Sequence, residues 1–358
     1  MAIIQSQLIQ FDDKIRLRRF DENKELREKR DIILGKLRGR FEALRKEEKL
    51  DVPTFEHFNQ GSYEMGTGIH PEKGDYDIDV GLAFNCAKTK YLNPVDLKIL
   101  VDDALEGHTL LGSEVRRSCV TVRYQKEGEL AFHVDLAIYT YDNPDSPTRR
   151  MFIAKGKRGS GENDRHWEES EPRKLTDWVA GRFVDEEQQR QFLRVIRALK
   201  RWKTKKFATD GQNAPSGIGL TVAAGQWFKP QVTVDPFKST TTTIDDLKAM
   251  RNLVDTMVSH FTPTSTKADG STLYRLAVTL PVAPGTDIFT KMTEGQMTTF
   301  RERLTQLRDC LDQVKNEVDI VEACKRMQDQ FGDEFPVPEK DSTGRKAGPA
   351  IVSSAVSA

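Results

Sequence analysis

Cysteine is sparse in this chain. The 358 residues hold four, Cys86, Cys119, Cys310 and Cys324, with no C-x-x-C pair and no metal-ligand spacing. Such scatter argues against a disulfide framework and reads as reduced, buried thiols of a cytosolic protein. Long apolar runs are missing too. None approaches the roughly 20 residues that a membrane-spanning helix needs, and the opening "MAIIQSQLIQFDDKIRL" carries no signal-peptide pattern. The expectation is a cytoplasmic protein without membrane partners. The third absence is an excess of charge of either sign: 55 basic residues face 55 acidic ones. A protein that lives on a long nucleic-acid backbone usually carries surplus positive charge to displace counterions, so no nucleic-acid template is expected. Small nucleotides remain open as ligands, because their phosphates need only a local basic pocket.

What is present divides into two halves. Residues 21–50 read as one long, charged amphipathic helix, followed by a short aromatic-containing stretch that ends at Gly61-Ser62. "YDIDVGLAFN" (76–85) alternates with period two and reads as a strand. Residues 93–107 open with Asn-Pro and read as a helix. Two β-rich runs, 114–125 and 130–142, flank "KEGE" and form a plausible hairpin. From about residue 165 the pattern turns helical, with helices over 185–206, 216–229, 243–261 and 293–332, the last broken near Asn316. The expected class is α+β: a mixed-sheet catalytic lobe over 1–165, a helical lobe over 166–335, a flexible tail over 336–358, and an active site in the cleft. "GKRGSGEND" (156–164) reads either as a mobile connection between the lobes or as a loop within the first. No internal repeat is visible.

The chemistry is concentrated in "FNQGSYEMGTGIHPEKGDYDIDVGLAFN" (58–85). By strand parity Tyr76, Ile78, Val80, Leu82 and Phe84 form a core face, and Asp77, Asp79, Gly81 and Ala83 the other. That second face offers two carboxylates beside two minimal side chains, which predicts room for a ligand. Asp75 shares the parity but follows Gly74 and is assigned to the preceding loop. In 131–139 the same parity puts Asp135 among Ala131, His133, Ala137 and Tyr139, opposite an apolar stripe. If the two strands are neighbours, three carboxylates converge. Such a cluster suits two Mg²⁺ ions, with Mn²⁺ as the alternative, which take oxygen ligands and retain contacts for substrate phosphates. Two ions roughly 3.5–4 Å apart can activate a hydroxyl and stabilise a leaving pyrophosphate. Gly61 would let backbone amides approach a phosphate, and Ser62 would add a donor at a helix turn starting there. His133 reads as a neighbour rather than a base. Arg116, Arg117 and Arg123 suit phosphate contact or an exposed strand face equally well.

G-S, then D-x-D on a strand, then a third Asp on a later strand resembles the polymerase-β-like nucleotidyltransferases. "QGSYEMGTGIHP…GDYDIDVGL" is similar, more narrowly, to the cGAS/DncV-like nucleotidyltransferases (CD-NTases) of bacterial antiphage CBASS systems. "RALKRWKTKK" followed by "APSGIGL" resembles the lysine–tryptophan helix and the serine helix start of the oligoadenylate-synthase and CD-NTase groups. The resemblance spans about residues 20–330. It implies that Asp77, Asp79 and Asp135 are catalytic metal ligands, and that Gly61, Ser62, Lys200 and Ser216 hold the donor triphosphate. Without it, the basic run 197–206 would read as a solvated helix face. The implied function is template-independent synthesis of a cyclic di- or trinucleotide from NTPs, which would act on a downstream cyclic-nucleotide-activated effector. In some such systems a ubiquitin-like machinery conjugates the synthase through its C-terminal tail, here "IVSSAVSA". Two rivals stand beside this reading: an RNA or tRNA nucleotidyltransferase, and an inactive nucleotide-binding scaffold.

Overall fold

Alternation along residues 76–87 resolves into an interior strand of a mixed sheet, between one antiparallel and one parallel neighbour. The computed structural model describes residues 3–17, 24–71, 76–126, 129–207, 214–234 and 242–339. Helices α1 (Gln5–Ile15) and α2 (Lys24–Lys46) lead into β1 (Phe55–Asn59), the single turn α3 (Gly61–Glu64) and β2 (Tyr76–Ala87). Then follow α4 (Pro94–Ala104), β3 (Ser113–Val115), β4 (Val120–Lys126), β5 (Glu129–Tyr141), β6 (Met151–Lys155) and β7 (His166–Glu169). Asn93 starts α4 by accepting a hydrogen bond from the Val95 amide at 3.1 Å, with Pro94 in the first turn, where its missing N–H costs nothing.

The sheet runs β1-β2-β5-β4-β3, and β6 and β7 extend it from the end of β5. β2 and β5 are parallel, and the remaining neighbours antiparallel. A parallel pair needs a long crossover, here supplied by α4 and the β3–β4 segment. Ile78, Val80, Leu82 and Phe84 are fully buried, in one core with Leu37 and Phe41 of α2 and Leu97 and Val101 of α4. One face of β2 is thereby committed to packing. The other is left for Asp79 and its neighbours.

The second half is helical: α5 (Pro172–Ala180), α6 (Glu186–Lys206), α7 (Gly217–Trp227), α8 (Asp246–Ser259), α9 (Glu294–Asn316) and α10 (Ile320–Phe331). The expected break near Asn316 lies between α9 and α10. Two short hairpins, β8 (Val232–Val234) with β9 (Thr242–Ile244) and β10 (Thr262–Thr266) with β11 (Thr272–Arg275), join them.

Several expectations need correction. The sheet runs past residue 165, because β7 pairs with β6. "GKRGSGEND" is therefore a loop inside the first lobe, between these two strands. α1 belongs by packing to the helical half: Phe11 lies 5.6 Å from the Phe331 ring and 5.2 Å from Phe335. Of the four thiols, Cys86 and Cys324 are buried while Cys119 and Cys310 are half-exposed. Among the described residues, no helix is long and apolar enough to cross a membrane. The expected tail and its conjugation site fall, from residue 340 onward, outside the described residues, as does Asp75.

Candidate active site

The β2–β5 register brings the carboxylates together. Asp79 stands directly opposite Asp135, and Asp77 opposite His133. Asp77 is described through its backbone only. Both Asp79 and Asp135 are half-buried, on the face opposite the core residues of β2. β4 completes the row, since Thr121 pairs with Asp135 from the other side. The Thr121 hydroxyl donates to Asp135 Oδ1 at 2.5 Å, and Cys119 Sγ lies 3.5 Å from the same hydroxyl. Burial, and after it the negative charge of Asp135, push the Cys119 thiol up to about 12. Among the described residues no group of three or more His, Cys, Asp or Glu could hold a metal. The Asp77 side chain lies outside that set.

The glycine of the Gly-Ser pair has a steric cause. Gly61 has φ +74°, and a Cβ there would lie 1.9 Å from Asp79 Oδ2. Any side chain at this position would displace the carboxylate. The turn α3 starts at Gly61 rather than Ser62, after Gln60, whose amide donates to the Asp79 carbonyl at 3.2 Å. The Ser62 carbonyl accepts from the Thr67 amide at 2.9 Å and from the Thr67 hydroxyl at 3.3 Å. Lys200 Nζ donates to that hydroxyl at 2.9 Å. A Cβ on Gly217, at the start of α7, would lie 3.5 Å from Lys200 Cε. Lys200 thus sits between the Gly-Ser segment and the α7 N-terminus. Ser216 is the N-cap of α7 and accepts from the Gly219 amide at 3.0 Å. Its hydroxyl has a structural task in the folded chain.

The first part of the basic run on α6 is not a solvated face, although Lys205 further along it is exposed. Arg197, Lys200 and Arg201 are all buried. Arg197 pairs bidentately with Asp12 of α1 at 2.6 and 2.7 Å and donates to the Gly66 carbonyl at 2.6 Å. Arg201 donates to the His70 carbonyl at 2.7 Å and pairs with Glu334 at 2.8 Å. Three cations at helical spacing therefore grip the segment that follows the Gly-Ser turn. Burial first, then Lys203 and Arg197, pull Lys200 down to about 7, against the opposing pull of Asp79.

The small residues beyond Asp79 do not leave ligand space, contrary to expectation. A Cβ at Gly81 would meet the Phe58 ring at 2.3 Å, and Phe58 packs over Ala83, Ala137 and Tyr139. Tyr139 in turn donates to Gln60 Oε1 at 2.8 Å. Gly81 makes room for an aromatic that supports the turn. Sequence reasoning also missed Thr67, Thr121, Asp12 and Arg197. Parity along "CVTVRY" could have found Thr121, because Val120 and Val122 take the core face. No local signal marks Asp12, whose partner lies 185 residues away.

A family model for the nucleotidyltransferase domain of cyclic GMP-AMP synthase DncV-like proteins matches residues 55–139. That span holds the Gly-Ser turn, both β2 aspartates and Asp135. A cyclic GMP-AMP synthase of Escherichia albertii is 26% identical over 179 residues, covering 49% of this chain and 38% of that protein. The chain thus aligns with well under two thirds of this curated relative's length. Among solved structures, the Vibrio cholerae DncV cyclic AMP-GMP synthase superposes with a TM-score of 0.65 at 19% identity, covering 94% of this chain and 98% of that one. The Bradyrhizobium diazoefficiens CD-NTase CdnG in complex with GTP gives 0.66 at 15% identity, covering 93% and 96%. At these identities the two structures establish the fold.

Proposed function

Because the chain is a member of the cGAS/DncV-like nucleotidyltransferases (CD-NTases), we propose that it joins nucleoside triphosphates into a cyclic di- or trinucleotide with release of pyrophosphate. One observation carries the reading: Asp79 and Asp135 face each other across β2 and β5, beside a turn whose glycine admits no side chain. The donor set fits a divalent cation, since hard carboxylate oxygens are gathered half-exposed on one sheet face. Asp77 and Asp79 are the residues proposed to hold two Mg²⁺ ions, and Asp135 to share one of them. When bound, such ions favour deprotonation of an attacking hydroxyl and neutralise charge on the departing pyrophosphate.

The chain's own contribution is position and charge. Gly61 and Ser62 are proposed to meet the donor triphosphate through the turn, with Lys200 supplying a cation from behind. Ser216 is proposed to contribute through the start of α7 that it caps. A ribose hydroxyl of the acceptor then attacks the α-phosphorus, and the bond to the β-phosphate oxygen breaks. The step is repeated until the linear nucleotide's own free hydroxyl attacks its remaining triphosphate and the ring closes. The reading extends to antiphage signalling, with a downstream effector sensing the product.

The test is incubation of pure protein with labelled NTPs, singly and mixed, with Mg²⁺ and no nucleic acid. Phosphatase-resistant small products are expected. Asp79→Asn or Asp135→Asn should lower their yield by more than about 100-fold, the upper end for losing a group that merely supports a metal ligand. Undiminished synthesis by the Asp79→Asn/Asp135→Asn protein would overturn the reading.

A further inference from the structure

Thr121 is completely buried, yet it lies on the strand face that carries Asp135 rather than on the core face taken by Val120 and Val122. A buried hydroxyl needs a partner, and this one has a charged partner at the short end of the hydrogen-bond range, 2.5 Å. A hydroxyl has a single proton to give, and here it goes to Oδ1. The Cys119 thiol at 3.5 Å can donate in turn to the threonine oxygen. On the other flank of Asp135 stands Asp79, a carboxylate that offers repulsion instead of a donor. Donor on one strand and like charge on the other together bias how the Asp135 carboxylate is turned. β-Branching adds to this, because a threonine on a strand has few χ1 choices.

We propose that Thr121 is a positioning residue, whose hydroxyl fixes the rotation of the Asp135 carboxylate so that it presents one orientation to a divalent cation and the reacting nucleotide. This rests on the nucleotidyltransferase reading given above. It accounts for a polar side chain at a position where valine, its closest shape analogue, would satisfy the packing. Ligand-supporting groups of this kind typically change metal affinity or activity by about 10–100-fold when removed.

The experiment compares Thr121→Val, Thr121→Ala and Thr121→Ser with the parent. Mn²⁺ binding is followed by electron paramagnetic resonance in the presence of a non-hydrolysable NTP, and product formation is measured alongside. T121V and T121A should bind Mn²⁺ about 10–100-fold more weakly, while T121S stays within about threefold of the parent. Turnover should fall in the same order, with KM for NTP little changed. Two different replacements ensure that a folding failure of one does not decide the matter. Parent-like Mn²⁺ binding by T121V or T121A overturns the proposal. So does T121S behaving as T121V does, since the methyl would then be the part that matters. A parent that binds Mn²⁺ but makes no product would sink the synthase reading and leave the Thr121 comparison standing. A parent that binds no Mn²⁺ overturns both.

Discussion

Lys200 shows how one side chain can be tuned by its surroundings. Its ammonium is buried, donates to the Thr67 hydroxyl at 2.9 Å, and shares its helix with Arg197 and Lys203. Burial and these like charges pull it from its ordinary 10.5 down to about 7. Between those two values the unfolded chain binds a proton that the folded chain does not, so stability rises with pH across that window. Below about 7 both forms are protonated, and the cost of burying the charge is present in full. Lys200→Met should therefore be more stable than the parent at about pH 6, with the gap closing towards about pH 10. Melting temperatures of the two proteins over that range check this, and a gap that widens with pH would contradict it. A donor triphosphate held at Lys200, as proposed above, would reverse the balance by favouring the charged form. The same substitution should accordingly raise KM for the donor NTP by about 10–100-fold, the loss of one charge-assisted contact. The resemblance pointed to Lys200. Its burial was not legible, because a run of cations on a helix normally means a solvated face.

At the scale of elements, β2 and β5 were readable for a simple reason. A period of two separates Asp77 and Asp79 from the apolar positions, and Asp135 stands out among alternating residues in the same way. What parity does not give is neighbourhood. It could not place β1 beside β2, so Gly81 looked like space for a ligand when it is space for Phe58. β6 escaped for another reason: Met151, Phe152, Ile153 and Ala154 are buried in succession, so no alternation marks them. α1 does carry the helical spacing, at Leu8, Phe11, Asp12 and Ile15, but the acid in that stripe has meaning only beside Arg197. That pair, with its link to the Gly66 carbonyl, joins α1, α6 and the segment after the Gly-Ser turn. Arg197→Met leaves the Asp12 charge buried without this partner and should cost about 3–5 kcal/mol of stability. Asp12→Leu/Arg197→Met removes both charges and should recover most of that loss, since apolar pairs often replace buried ion pairs without penalty. Donor binding should not recover with it, because the Gly66 carbonyl still lacks its donor. Chemical denaturation and an NTP titration separate the two effects. Full recovery of both would reduce the pair to packing.

Over the whole molecule, two hydrophobic cores meet at the single turn α3. Tyr63 belongs to the core under the sheet, while Met65 and, more loosely, Ile69 belong to the core of the helical half. The proposed phosphate-holding turn is thus fixed from both sides. α1 closes the second side, through Leu8, Phe11 and Ile15 in the helical core and a bridge from Arg16 to Ile69. Removing residues 1–17 would delete five buried apolar side chains, Ile4, Leu8, Phe11, Ile15 and Leu17, each worth roughly 2–5 kcal/mol, against a typical total of roughly 5–15 kcal/mol. The helical half of the truncated chain should lose its cooperative thermal transition, and synthesis should disappear with it. At the other end the described core reaches Phe335, with Val337 packed against it. A chain ending at Glu339 keeps all of those contacts, so it should melt within about 2 °C of the full chain, the shift expected for well under 1 kcal/mol. It should also make the same product at the same rate. Loss of synthesis in that shortened chain would assign residues beyond 339 a part in the catalytic fold. A normal transition after deletion of 1–17 would show that α1 is a passenger on the helical core rather than part of it.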